Sequence, residues 1–291
     1  MSGLIVDELI ERFRAWAERA SDVLALAIIG SRARARDPAD EWSDVDLVIV
    51  TDNADRYLRD GGWLDEIGRC RLTFVEESPL AGLFERRAHF EGGVEFDLLL
   101  ITAAMVELAA GLPEVADLVS RGWRVLVDKQ DLTTSFTAQV EAQPVGAEAT
   151  ATRPSPADIT DAAARFWHGC IWSARKLRRG ELWMATVAVN CGLHQQLLHA
   201  LEWEAQSRPA GNATDVWFRG RFLERWADPK AVGRLDTTFA RYDRDAVAAS
   251  IRALAAMYSE VISEVATRVG TDPPRSIESY GSDVLRSVLG E

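Results

Sequence analysis

The stretch AIIGSRARARDPADEWSDVDLVIVT, residues 27–51, decides how this chain folds. It opens inside an apolar run, 23–29, that reads as a strand and stops at Gly30-Ser31. A short basic segment with Arg32, Arg34 and Arg36 follows, then a polar loop. The chain re-enters a strand at Ser43-Asp44-Val45-Asp46-Leu47-Val48-Ile49-Val50. Side chains two apart along a strand point to one face, so Asp44 and Asp46 project together at the start of an otherwise apolar run. Carboxylates aimed the same way repel each other unless a cation lies between them. Such a pair suits Mg²⁺, a hard ion that takes oxygen ligands and keeps part of its shell for phosphate. Gly30 lets the backbone approach a ligand closely. Ser31 offers a hydroxyl and an amide N–H to phosphate oxygens, with a helix N-terminus expected just behind it.

A third acid stands further along, in Gly92-Gly93-Val94-Glu95-Phe96-Asp97-Leu98-Leu99-Leu100. Asp97 lies inside an apolar strand, where a carboxylate needs a partner to offset its desolvation. If this strand neighbours the Asp46 strand, Asp97 completes a metal triad and can accept a proton from an attacking hydroxyl. The competing reading pairs it with an arginine. A lone D-x-D is a weak signal, often a turn or solvated edge. Three acids in this order, each at a strand end beside a Gly-Ser turn, favour the metal site.

Working outward, strands are expected at 23–29, 46–51, 71–75, 94–101 and 124–128. Helices are expected at 54–58, 103–110 and the N-terminus, where Leu4, Leu9, Phe13, Trp16 and Ala20 share a face. This is an α+β domain over 1–142, a mixed sheet with helices. Residues 143–156, QPVGAEATATRPSP, read as a linker. Long 3.6-period segments at 157–179, 181–205, 214–226 and 245–269 then make 157–291 an α-helical bundle, closed by an irregular tail and a short last helix. The tryptophans Trp167, Trp172, Trp183, Trp203, Trp217 and Trp226 read mostly as core.

The formal charge is −12 over 291 residues. Residues 1–140 carry 26 acidic against 15 basic side chains, whereas 141–291 carry 19 against 18. An acidic N-terminal half repels nucleic acid and suits divalent cations and a cationic small molecule. No run approaches the ~18 apolar residues of a membrane span, and the N-terminus is unlike a secretory signal. Cys70, Cys170 and Cys191 show no metal or disulfide spacing, so a cytoplasmic protein with reduced thiols is expected. The four histidines lack zinc-ligand spacing, and no G-x-S-x-G or Walker loop is present.

Gly30-Ser31-Arg32, Trp42-Ser43-Asp44-Val45-Asp46 and Val94-Glu95-Phe96-Asp97-Leu98-Leu99-Leu100 resemble the nucleotidyltransferases of the DNA polymerase β superfamily. More closely, with Val125-Leu126-Val127-Asp128-Lys129 and the helical segments from Phe166-Trp167 to Leu182 and 197–203, the chain resembles the aminoglycoside 6-adenylyltransferase (streptomycin adenylyltransferase) family. The resemblance implies a polymerase β-like domain followed by a helical bundle. It also implies Mg²⁺-dependent transfer of AMP from ATP to a hydroxyl. Asp44 and Asp46 would hold the metal, Asp97 would complete the site and deprotonate the acceptor, and Gly30, Ser31 and Arg32 would cradle phosphates. Lys176, in the basic turn Arg175–Arg179, is expected to reach the triphosphate, and Trp172, Lys176, Arg179 and Trp183 are read as one helix face. Glu202 is a candidate ligand for a cationic group of the acceptor. Two alternatives stand beside this: a nucleotidyltransferase that modifies a protein or RNA, and a nucleotide-binding protein without turnover.

Overall fold

The computed structural model describes residues 2–78, 82–142, 153–209, 216 and 219–290, without the side chains of residues 2–4, 113 and 114. Leu4's side chain, Trp217 and residues 143–152 of the expected linker therefore lie outside the described residues. The chain divides into two compact units, Met1–Gly146 and Ala147–Glu291.

The first unit is α+β. Its elements are α1 (Ser2–Arg19), β1 (Val23–Ile29), β2 (Val45–Thr51), α2 (Ala54–Arg59), β3 (Cys70–Glu77), β4 (Phe84–Phe90) and β5 (Val94–Ile101). They are followed by α3 (Ala103–Ala109), α4 (Pro113–Arg121), β6 (Trp123–Asp128) and α5 (Leu132–Glu141). The six strands form one mixed sheet in the order β3-β4-β5-β2-β1-β6. Only β2 and β5 run parallel, and every other neighbouring pair is antiparallel.

Both sheet faces are covered because β1, β2 and β5 are apolar on both sides. On one face Leu26, Ile28, Leu47, Ile49, Phe96 and Leu98 pack with Phe13 and Trp16 of α1 and with Tyr57, Trp63 and Leu64. Phe13 and Trp16 are buried at helical spacing with Leu9 and Ile10, which is the stripe an amphipathic helix presents to a sheet. On the other face Val48, Val50, Leu99 and Ile101 pack with Val106, Val119, Phe136 and Val140 of α3, α4 and α5. By the two-residue period, Asp46 continues the Val48–Val50 row and Asp97 continues the Leu99–Ile101 row. The acids stand where this second apolar layer ends.

The strand β4 was not expected from the sequence. Its run Phe84-Glu85-Arg86-Arg87-Ala88-His89-Phe90 is half charged, yet it sits inside the sheet between β3 and β5. Arg86 is buried and satisfies its fork locally. It donates to the carbonyls of Tyr57 (2.9 Å) and Leu58 and to Thr73 Oγ1 (2.9 Å). Helices α4 and α5 were likewise unforeseen.

The second unit is helical: α6 (Pro156–Arg178), α7 (Leu182–Val187), α8 (His194–Gln206), α9 (Leu223–Trp226), α10 (Pro229–Val232), α11 (Arg244–Val269) and α12 (Arg275–Leu289). Ser155 opens α6 through a reciprocal capping box with Asp158. A π-helical turn, Ala188–Leu193, joins α7 to α8. Helix α11 is long and apolar enough by composition to cross a membrane, but Val247, Ile251, Leu254, Tyr258 and Val265 bury it in the core of this unit. There Tyr258 stacks on Phe166 at 3.8 Å between ring centroids.

Three expectations are corrected here. Of the helix expected over 214–226, only Leu223–Trp226 is helical among the described residues. The last helix is not short but spans 15 residues. Gly180, with φ of +81°, separates α6 from α7, so Trp183 does not continue the face of Trp172 and Lys176. Trp183 is 70% exposed, whereas Trp167 and Trp226 are core.

Candidate active site

The parallel register of β2 and β5 places Asp46 directly opposite Asp97. Asp44 precedes β2 by one residue and adds a third carboxylate. One oxygen from each of Asp44, Asp46 and Asp97 lies within 4.8 Å of the other two. Asp46 and Asp97 are direct partners on neighbouring strands, so the ladder itself sets the spacing of those two acids. Asp97 is buried, and its Oδ1 has no hydrogen-bond partner among the described residues.

The turn after β1 closes over this group. In the antiparallel pair β1–β2, Ile29 faces Asp46, which puts Gly30 beside the carboxylate. Gly30 has a φ of +71°, and a Cβ there would lie 2.3 Å from Asp46 Oδ2. No other residue type fits that backbone and that approach. Residues Gly30–Arg32 form a three-residue 3₁₀ turn. This short turn stands where a helix N-terminus was expected behind the Gly-Ser pair. Ser31 is buried, and among the described residues its Oγ also lacks a hydrogen-bond partner.

Arg32 is placed next to the acids but spends its guanidinium on backbone. Nε donates to the carbonyl of Asp44 at 3.1 Å and Nη2 to that of Ser43 at 3.0 Å. It thereby fixes the entry of β2. The loop before it is closed by Asp40, whose carboxylate accepts from the Trp42 amide (2.9 Å) and the Ser43 hydroxyl (2.8 Å). The Ser43 and backbone hydrogen bonds hold the Asp40 carboxyl below its ordinary pKa. Trp42, on the same loop, is 87% exposed.

The unforeseen strand β4 brings a residue that sequence reasoning missed. Arg87 stands opposite Asp97 in the β4–β5 register, and its guanidinium contacts Asp97 Oδ2. It also holds Glu76 at 2.7 Å and Glu85 at 2.9 Å. Burial acts to lower the pKa of this guanidinium. The hydrogen bond to Glu76 and the charges of Glu85, Glu76 and Glu95 outweigh that and raise it. Arg87 is thus a permanent cation. Asp97 accordingly meets both sequence readings, since it belongs to the acid cluster and also contacts an arginine. The Gly92-Gly93 turn before β5 was the available signal, since a glycine turn ahead of a strand announces an antiparallel partner upstream.

The remaining sequence candidates belong to the helical unit. Lys176 is ion-paired with Glu181 at 2.7 Å and lies over the Trp172 ring, 5.2 Å from its centroid. Glu202 is next to His199, with 3.6 Å between Oε2 and Nδ1.

A mixed sheet carrying two carboxylates at the mouth of one strand, a third on its parallel neighbour and a Gly-Ser turn against them is the arrangement that the resemblance to nucleotidyltransferases implied. Residues 6–284 match the streptomycin adenylyltransferase family. The chain belongs to that family, and it is an enzyme of this type. It is similar to two curated relatives named aminoglycoside 6-adenylyltransferase. The one from Staphylococcus aureus is 23% identical over 67% of this chain and 68% of its own length. The one from Campylobacter jejuni is 21% identical over 93% of this chain and 91% of its own. A solved aminoglycoside 6-adenyltransferase from Bacillus subtilis aligns over 97% of this chain and 98% of its own at 16% identity, with a TM-score of 0.46.

Proposed function

We propose that this enzyme transfers AMP from ATP to a hydroxyl of a small cationic aminoglycoside, with streptomycin as the leading acceptor, and that it does so with Mg²⁺ held by Asp44, Asp46 and Asp97. The observation that carries the reading is the convergence of three carboxylate oxygens within 4.8 Å beside the Gly30–Ser31 turn. An all-oxygen donor set of this kind fits a hard divalent cation. The buried, unpartnered Oδ1 of Asp97 fits the same ion, because a buried carboxylate oxygen without a partner is costly.

A divalent cation held by Asp44, Asp46 and Asp97 would supply charge neutralisation for phosphate chemistry there. The chain's own residues do the rest by position. Gly30 keeps the backbone clear of Asp46, and the Ser31 hydroxyl offers a hydrogen bond to a phosphate oxygen. Arg32 holds the Ser43–Asp44 backbone in place. Asp97 accepts the proton of the acceptor hydroxyl as its oxygen bonds to the α-phosphorus. The bond from that phosphorus to the β-phosphate oxygen breaks, and pyrophosphate leaves. Lys176 is assigned to the triphosphate and Glu202 to an ammonium or guanidinium group of the acceptor. The excess of acidic side chains in residues 1–140 favours a cationic acceptor over a nucleic acid, and a cytoplasmic location accompanies this reading.

The test is pyrophosphate release from ATP and Mg²⁺ across a panel of aminoglycosides. Turnover with streptomycin is expected. Silence across the panel, with Mg-ATP binding intact, would reject the aminoglycoside acceptor and leave a protein acceptor as the next to try.

A further inference from the structure

Arg87 is more than a counter-charge in the wall of the site. Its five N–H donors form a rigid fork, and the fork is divided among carboxylates on three adjacent strands. Glu76 on β3 and Glu85 on β4 hold it from one side, at 2.7 Å and 2.9 Å. Asp97 Oδ2 on β5 receives it on the other, and Glu95 lies 3.9 Å from Nη1. The two anchoring glutamates prevent Arg87 from following Asp97 if that side chain turns. Asp97 is correspondingly asymmetric, since Oδ2 is engaged by Arg87 while Oδ1 is buried without any hydrogen-bond partner.

We infer that Arg87 is a positioning residue: it ties Oδ2 of Asp97 to the sheet so that Asp97 meets the divalent cation through Oδ1 alone. This rests on reading the three aspartates as a cation site. The arrangement has two separable effects. The fixed positive charge weakens cation binding by the triad, and the fixed geometry supplies a third ligand in one orientation. An unrestrained Asp97 would grip the cation with both oxygens, whereas Oδ2 held by Arg87 stays off the cation and keeps a lone pair for the acceptor hydroxyl. A residue serving only as a structural strut would produce neither pattern, because its loss would weaken metal binding and turnover together.

The experiment is a Mn²⁺ titration of the full chain without nucleotide, with free Mn²⁺ followed by electron paramagnetic resonance. It is paired with kcat for pyrophosphate release from ATP and streptomycin. Arg87→Gln should bind Mn²⁺ more tightly, by about tenfold for the loss of one unit charge near a divalent ion, and yet turn over more slowly. Arg87→Lys keeps the charge and loses the fork, so it should keep the wild-type Mn²⁺ affinity while kcat falls. Asp97→Asn, run in parallel, should weaken Mn²⁺ binding. Equal or weaker Mn²⁺ binding by Arg87→Gln overturns the inference. If that variant does not fold, Arg87→Lys with wild-type kcat overturns it instead. If Asp97→Asn binds Mn²⁺ as wild type does, the cation site itself is wrong and this inference falls with it. If Asp97→Asn weakens binding and Arg87→Gln leaves it unchanged, the role of Arg87 alone is refuted.

Discussion

Replacing Gly30 by alanine isolates the contact on which the site's geometry turns. The new Cβ would stand 2.3 Å from Asp46 Oδ2 and 3.1 Å from its Cγ. An ordinary carbon–oxygen contact is more than 3 Å, so the carboxylate must retreat by about 1 Å, a displacement that costs on the order of a hundredfold in rate when it falls on a reacting group. The backbone adds a second cost, since a non-glycine residue in the left-handed region loses about 1–2 kcal/mol. In a chain of this size that lowers Tm by roughly 2–8 °C. Gly93→Ala separates the two. Gly93 has a φ of +78°, and nothing lies within 4 Å of its Cβ position. It should show the loss of Tm and keep its rate. Pyrophosphate release and thermal unfolding on both variants decide the matter. Gly30→Ala at the wild-type rate would refute the claim that Asp46 must sit where this turn permits.

The other expectations follow from the same geometry. Asp46→Asn and Asp97→Asn should each cut turnover by orders of magnitude with the fold retained, by circular dichroism and Tm; a variant near the wild-type rate would remove that residue from the site. Ser31→Ala should leave stability unchanged or raise it by about 1 kcal/mol, because it deletes a buried hydroxyl that has no partner, while KM for ATP rises. Asp128 accepts hydrogen bonds from the amides of Gln130, Leu132 and Thr133 at the start of α5. Burial acts to raise its pKa, but the Thr133 and backbone hydrogen bonds outweigh that and hold it below 3.8. Its contribution is therefore complete above pH 3.8 and is lost as the pH falls through the lower folded value. Asp128→Ala should cost about 1 kcal/mol at neutral pH, and the gap to wild type in urea unfolding should close only in acid.

The convergence of the acids was legible because Asp46 and Asp97 lie on regular strands and Asp44 at the mouth of one. The alternation at Asp44-Val45-Asp46 and the apolar run around Asp97 announce their strands, and both acids share a parity with their apolar neighbours. Arg87 was not legible, because β4 is charged on both faces and is held by partners distant in sequence. Tyr57 and Leu58 satisfy Arg86, and Glu76 and Asp97 satisfy Arg87. Hydrophobic periodicity carries no trace of such pairs. The role of Arg32 was hidden for a related reason. A guanidinium beside a phosphate site reads as a phosphate ligand, and that its Nε and Nη2 also reach two backbone carbonyls leaves no mark in the sequence. The π turn at Ala188–Leu193 adds one residue to a helical repeat, and composition alone does not reveal it.

The one parallel ladder, β2 against β5, gives this enzyme a fixed ruler. Because residues 46 and 97 are neighbours across a ladder, their spacing is independent of how the intervening chain is routed from one strand to the other. Loop residues outside the ladder and its supports, such as those at 33–38, can lengthen, shorten or change composition without moving the ruler's marks. Diversification of what the enzyme accepts can therefore proceed in those loops while the chemistry they surround stays constant.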